Sequence, residues 1–407
     1  MATVYCKAGV AAVPVTVTTG TTNNFAFGQT YLTSASAGNS DITMRTAGTI
    51  NKLGIYVSAN TITNTSTLTT RKNSAAGNQS VTIAGSTTGY FEDTTNADSV
   101  AAGDTLAYRL VTGNAGTSLT LYSISTNFLA NTNTVQRYIC GGTQSFTGTS
   151  VSAYCPVAGS IYTTATEANT QVKIKAPYTG KNFFVHVNVN ARSSTTTVFF
   201  RKNTGNGNMN VSVTAATTGV FEDTSNTDSL VSGDLINYGV NLGTGTGSFS
   251  IANAAFDGVS TANQFQLVAA SLPNSLGSNA TFYMTPSGEA ATNTTAAEAS
   301  VSTKTNLTAT ISNLAIFVVT NSVATASTLK FRKNGSDGNQ VVSITGLTTG
   351  YFEDTINTDT IASTDLINYS VTTAAGVVNH FGWGTLSSLV SQAAAITHTL
   401  PCLGVGN

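Results

Sequence analysis

One polar pattern occurs three times in this chain, and it limits what the chain can fold into more than any other feature. It begins at Arg71-Lys72-Asn73, passes through Phe91-Glu92-Asp93-Thr94 and closes on Gly103-Asp104 and Tyr108. It returns as Arg201-Lys202-Asn203, Phe221-Glu222-Asp223-Thr224, Gly233-Asp234 and Tyr238. The third occurrence is Arg332-Lys333-Asn334, Phe352-Glu353-Asp354-Thr355, Asp365 and Tyr369. In every copy the Phe stands at i+20 from the Arg, and the late Asp at i+13 from that Phe. Solenoid and propeller repeats run to roughly 20–50 residues. The spacing of Arg71, Arg201 and Arg332 is instead that of a whole domain. The chain therefore divides into three copies of one domain, at about 1–132, 133–262 and 263–407, the last with a C-terminal tail.

Charged residues make up only 9% of the chain and the formal net charge is −1, against about 25% charged residues in ordinary soluble proteins. A near-neutral surface lacks the repulsion that keeps molecules apart, and it suits a subunit packed among copies of itself. Nucleic-acid binding needs clustered Lys and Arg, and the 17 basic residues here are scattered. No apolar run reaches the ~20 residues of a membrane span. The start, Met1-Ala2-Thr3-Val4-Tyr5-Cys6-Lys7, lacks the basic opening and long apolar stretch of a secretory signal. That points to assembly in a cytoplasm, or to export without a recognisable signal.

Short Thr/Val/Ile/Tyr-rich segments bounded by Gly, Asn or Ser predict strands at 24–27, 42–44, 53–57, 66–70, 81–83, 106–110 and 119–124 in the first copy. Segments 171–175 and 183–189 follow in the second copy, and 314–319, 328–331 and 366–371 in the third. Leu53, Phe183 and Leu314 each stand at i−18 from their Arg and mark one core strand in three copies. Residues 73–78, with Gly77, read as a hairpin loop. No segment shows sustained helical periodicity. Seven or eight short antiparallel strands per copy imply an all-β chain of two-sheet sandwiches.

The runs Phe331-Arg332-Lys333-Asn334-Gly335 and Ser232-Gly233-Asp234-Leu235-Ile236-Asn237-Tyr238 resemble the C1q/tumour-necrosis-factor-like jelly roll, over roughly the later half of each repeat. The resemblance implies three tandem jelly-roll β-sandwich domains. Domains of that kind recur in phage virion proteins and in extracellular assemblies, commonly as trimers about a threefold axis. The third copy departs from the pattern: Ser363-Thr364-Asp365 lacks the Gly, so its turn must form without a residue free to take positive φ.

The Phe-Glu-Asp-Thr motif admits two chemistries. Glu92, Asp93, Asn96 and Asp98, with Glu222, Asp223, Asn226 and Asp228 and with Glu353, Asp354, Asn357 and Asp359, offer oxygen donors to Ca²⁺. The alternative, favoured here, is an Asx-type turn in which these side chains cap backbone groups and pair with the neighbouring Arg-Lys. The three histidines, His186, His380 and His398, do not recur between copies or sit near a Cys at metal spacing. His186, on an alternating strand, reads as a paired surface residue. Nucleophile elbows and phosphate-cradling loops are missing, and paired carboxylates occur only within the repeated motif, so the chain does not read as an enzyme. Trp383, the single tryptophan, reads as a core or interface anchor before a glycan-stacking residue. Cys140 and Cys155 are spaced to close a hairpin, Cys6 and Cys402 lie near the chain ends, and free thiols stand beside either disulfide as an equal reading.

These features point to a non-enzymatic, self-assembling structural protein. Its expected setting is a phage virion, as capsid decoration or a head or tail appendage, with copies of itself and other virion subunits as partners. The alternatives are an extracellular cell-surface filament held by terminal strand exchange or disulfides, and a receptor- or glycan-binding fibre module. Three copies in one chain have two ways to assemble: around an internal pseudo-threefold axis, or in a linear row.

Overall fold

The computed structural model describes residues 2–7, 15–27, 32–33, 40–131, 134–160, 164–260, 262–270, 275–289, 298–305, 307–374 and 381–392. The described residues form an all-β sandwich fold of six sheets, antiparallel apart from two short parallel contacts made by Gly159–Ser160 and Gly288–Glu289. In the first repeat, one sheet is centred on Gly48–Asn60 and Ser118–Ala130. Ala2–Lys7 and Val15–Thr18 flank it on one side, and Gly89–Glu92 and Ala97–Val100 on the other. The other sheet places Thr105–Val111 between Thr22–Ala26 and Ser66–Lys72, with Ala75–Ile83 outermost.

The same order recurs in the other two repeats. Tyr178–Asn190 pairs with Phe249–Ser260, and Ala309–Asn321 with Phe381–Ser391, at the centre of one sheet. The outermost strands of the second sheets are Gly205–Val213 and Ser336–Ile344. Each sheet pair encloses its own apolar cluster, with Leu53, Phe183 and Leu314 fully buried at equivalent positions. Side chains alternate across a strand, and burial follows that period: in Ser336–Ile344 the residues from Gln340 to Ile344 read buried, exposed, buried, exposed, buried.

The sheets centred on the long strand pairs are buried on both faces. An antiparallel sandwich sheet normally turns one face to water. Yet Ser123, Ser125 and Asn127, which point away from the first core, are all buried, as are Asn253 and Asp257 in the second repeat and Thr385 and Ser387 in the third. Other repeats cover these faces. The first apolar cluster continues into Phe184 and Ala255 of the second repeat, and the second cluster into Val268 and Leu389 of the third. Asp257, turned the same way, pairs with the buried Arg137 at 2.7 Å and accepts a hydrogen bond from Asn182 Nδ2 at 2.8 Å.

One local expectation is corrected. The 73–78 loop is only a two-residue turn: Asn73 and Ser74 take φ of 51° and 65°, and Ala75–Ile83 is already strand. Positive φ at both central positions is the turn that matches strand twist. Asn203-Thr204 and Asn334-Gly335 repeat it. Gly77 lies inside the strand. The third repeat closes its Gly-less turn with Thr364 N–H donating to Ala362 carbonyl at 2.9 Å. Gly103 and Gly233 instead use φ of 99° and 100° at that place. The strands Val15–Thr18, Gly89–Glu92 and Ala97–Val100 went unpredicted.

Candidate functional site

The repeated motif is strand, so neighbouring side chains leave on opposite faces. Its Asp and its Glu therefore do different work. The Asp faces the outermost strand of the partner sheet, whose outer N–H groups have no strand to pair with. Asp98 Oδ1 accepts the Asn78 N–H at 2.5 Å, and Asp93 Oδ2 accepts the Ser80 N–H at 2.9 Å. Successive outward N–H groups on a strand belong to alternate residues, which is the spacing these two carboxylates meet. Asp98 Oδ2 also accepts from Thr70 Oγ1 at 2.7 Å. Asp93 Oδ1 accepts the N–H groups of Thr95 and Asn96, both at 3.0 Å, which is the Asx turn.

The second and third repeats copy the arrangement. Asp228 takes Asn208 N–H at 2.8 Å and Asp223 takes Asn210 N–H at 3.1 Å. Asp359 takes Asn339 N–H at 2.7 Å and Asp354 takes Val341 N–H at 2.9 Å. A glycine recurring in all three repeats makes room. A Cβ on Gly77, Gly207 or Gly338 would stand 2.7 Å from a carboxylate oxygen of Asp98, Asp228 or Asp359. Burial pushes the Asp93 pKa up, but hydrogen bonds from Asn96, Ser80 and Thr95 outweigh it and bring it down to about 2. Asp223 and Asp354 shift the same way for the same reasons. A cation at these carboxylates would have to displace N–H and O–H donors. Among the described residues, no group of three or more His, Cys, Asp or Glu is placed to hold a metal ion.

The Glu reaches into another repeat. Glu222 of the second repeat is paired by Arg45 of the first, whose Nε donates to Oε1 at 2.9 Å. Glu353 of the third repeat takes Lys173 of the second at 2.9 Å and Lys175 as well. Glu92 of the first repeat takes Lys304 of the third at 3.0 Å. The order runs first to second, second to third, and third back to first. It closes.

Neighbouring groups reinforce two of these seams. Lys304 lies 5.6 Å from the Tyr90 ring centroid and Lys173 lies 5.9 Å from that of Tyr351, within the ~6 Å reach of a cation–π contact. Tyr351 Oη donates to the Gln171 carbonyl at 2.7 Å, and Thr385 Oγ1 donates to the same oxygen at 3.2 Å. Val220 stands at the corresponding place beside Glu222 and carries no ring.

The expected pairing of the motif with its own Arg-Lys is corrected. Arg201 forks onto Glu167 at 2.8 and 2.9 Å, and Arg332 onto Glu298 at 2.9 and 2.8 Å. Arg71 donates to Asn24 Oδ1 at 3.0 Å. Lys72 and Lys202 approach Asp104 and Asp234, at 3.8 and 3.1 Å. The motif's own Arg and Lys are thus committed within their repeat, and the Glu is left for a neighbour. Sequence reading missed Arg45, Lys173, Lys175 and Lys304. A signal existed: Arg45 and Lys175 stand at i−26 from their motif Arg, and Lys173 and Lys304 at i−28 from theirs. On a strand, positions two apart share a face.

The remaining candidates lie away from these seams. Trp383 is fully buried in the third core, in the same apolar cluster as Leu314 and Phe331, and leaves no face for a sugar. Cys140 and Cys155 are free thiols buried in the second core, and burial pushes the Cys155 pKa up to about 12 and that of Cys140 well above its usual value. Cys6 belongs to the strand Ala2–Lys7, with its backbone opposite Thr126. Cys402, His380 and His398 lie outside the described residues. His186 is not a surface residue. It is buried on the face turned from the second core, with Nδ1 unpartnered, and desolvation lowers its pKa. Comparison with known proteins gave no match to a family model and none to a curated protein.

Proposed function

We propose that this protein is a non-enzymatic structural subunit that closes into a three-part ring and serves in a phage virion, as capsid decoration or as a head or tail appendage. The observation that carries the reading is the cyclic set of seams from Arg45 to Glu222, from Lys173 and Lys175 to Glu353, and from Lys304 to Glu92. Three sequence repeats joined this way reproduce in one chain what a homotrimer makes from three. The likeness to trimeric jelly rolls and the near-neutral composition favour the same reading. The sharpest polar motif of the sequence is taken up by edge capping and ring closure, which favours structure over catalysis.

A filament held by exchanged terminal segments is the second reading. The pairing of Ala2–Lys7 with Ser118–Ala130 of its own chain favours the closed form. Negative-stain electron microscopy of the purified protein, with and without reductant, separates the two. Compact particles with a three-lobed outline are expected, whereas long fibres would overturn the closed form. An antibody against the protein is then expected to label purified virions. Labelling confined to cell-surface filaments would reject the virion role and leave the ring intact.

A further inference from the structure

Among the described residues, one end of the ring carries almost no charge. In each repeat, four connections meet at the end of the sandwich opposite the Asn73-type turns. In the first repeat these are residues 18–21, 60–65, 84–88 and 112–117, tied by Gly20 N–H to Gly113 carbonyl at 2.8 Å and Ser86 N–H to Ile62 carbonyl at 2.8 Å. In the third they are 277–279, 321–326, 345–349 and 374, tied by Leu347 N–H to Val323 carbonyl at 2.9 Å. The second repeat uses 147–151, 190–195, 214–218 and 242–248. Among the described residues of all these segments, the sole charged side chain is Arg192. It is withdrawn from the surface: its guanidinium is buried and donates to the carbonyls of Gly148, Leu242, Gly245 and Gly247. Ile62 and Val323 fill the same position in the other repeats.

Exposed apolar side chains occur at both ends. Val231 and Leu366 stand among the charges of the other end, and the most exposed, Ile356, lies in the Asp354 turn. At the loop end, the segments beside them carry no exposed charge among the described residues. Leu347 is 65% exposed, and Val111, Val151 and Val189 are at least 40% exposed. The other end differs. It presents Lys72, Lys202 and Lys333 beside Asp104, Asp234 and Asp365. Because equivalent glutamates take cations from positions at most two residues apart in the repeat, in cyclic order, the repeats are related by rotation. A rotation leaves equivalent loops at the same end, so the three loop clusters form one face.

Interface cores are depleted of charge and hold exposed apolar groups. Among the described residues the loop face meets both conditions, whereas the other end sets its exposed Val231 and Leu366 among Lys and Asp side chains. Stacking it on the opposite end of a second ring would desolvate that end's Lys and Asp side chains against a face that offers them no new charged partner, which is costly. Pairing it with its own copy desolvates none. We propose that two rings associate through their charge-free faces, in an isologous contact that closes after two chains and does not propagate. This inference does not depend on the virion reading.

The test is size-exclusion chromatography with light scattering on the full chain, over about 1–100 µM. The expected mass is twice the chain's 41.7 kDa. Ser86, Ala216 and Leu347 are equivalent exposed tips with φ of 57°, 56° and 59°, a conformation Asp tolerates. The triple variant Ser86→Asp/Ala216→Asp/Leu347→Asp is expected to run at the single-chain mass with an unchanged circular-dichroism spectrum. If it unfolds, Leu347→Asp alone is expected to weaken pairing about tenfold. Ala101→Asp/Val231→Asp/Ala362→Asp, at the charged end, is expected to stay paired. A single-chain mass for the wild type throughout, an open series of larger species, pairing that survives both loop-face variants, or equal loss in the charged-end variant would overturn the proposal.

Discussion

Replacing Glu353 by Gln tests the seams where they are least symmetrical. Among the described residues Glu353 is the one motif glutamate that faces two cations, and the side chain of Lys175 is only 5% exposed. Burial pulls the Lys175 pKa below its usual range even with Glu353 beside it. The carboxylate is held low by its two lysines, against the opposing effect of burial. In the variant, Lys175 keeps its desolvation and loses its counter-charge. Breaking a buried pair from one side costs about 3–5 kcal/mol. The lysine can also escape by releasing its proton, and from an ordinary pKa near 10.4 that costs about 4–5 kcal/mol at neutral pH, an upper limit on the penalty. Glu353 and Lys173 retain some solvent contact, so the expected loss is about 3 kcal/mol.

The same change at Glu92 or Glu222 meets one cation each, with Lys304 and Arg45 both 29% exposed. The expected loss there is about 1 kcal/mol. Adding Lys175→Met to Glu353→Gln removes the orphaned charge and is expected to recover most of the loss. The assay is urea unfolding followed by the fluorescence of Trp383, the single tryptophan, which lies in the core of the repeat that carries Glu353. Equal losses for Glu353→Gln and Glu92→Gln, or no recovery in the double variant, would refute the argument that burial of Lys175 makes this seam the critical one.

Three further outcomes follow from the geometry. Asp98→Ala orphans the N–H of Asn78 and the hydroxyl of Thr70, and is expected to cost about 2–4 kcal/mol in urea unfolding. Gly77→Ala, which drives a Cβ against the same carboxylate, is expected to destabilise as well, whereas Gly103→Ala meets no atom and is strained only through its φ of 99°. Asp93 has a folded pKa of about 2 against an ordinary 3.8. Its contribution is complete above pH 4 and is lost as pH falls through about 2, so stability is expected to hold from pH 7 to 4 and to drop below, by about 1–2 kcal/mol for Asp93, with Asp223 and Asp354 acting in the same direction. Cys140 and Cys155 are expected to resist a disulfide-exchange reagent in the native protein and to react at once in denaturant, because burial withholds both access and the thiolate. Fast reaction of either in the native state would contradict their placement.

Much of the local structure was legible in the chain. The constant Arg-to-Phe and Phe-to-Asp intervals and the alternation of 183–189 specify strands, because a strand's period of two is a property of the backbone itself. The Asx turn at Asp93-Asn96 was legible for the same reason: its partners are near neighbours along the chain. Gly77 was misread as a loop residue, since the carboxylate that requires its missing Cβ comes from Asp98, on another sheet. His186 was misplaced on the surface because alternation shows which residues face a core, not whether a second body covers the other face.

By itself the sequence determined the all-β class, the threefold repetition and which positions face each core, all of which depend on spacing within a short stretch or on recurrence. Tertiary structure alone decided that the motif's Asp closes a sheet edge while its Glu leaves for another repeat. It also decided that the repeats meet in a ring and not in a row. Glu92 and Lys304 stand 212 residues apart, and no local preference encodes a partner at that distance. The pairing emerges only when two-faced burial of the central sheets brings the repeats together and leaves each glutamate beside a cation its own repeat does not hold.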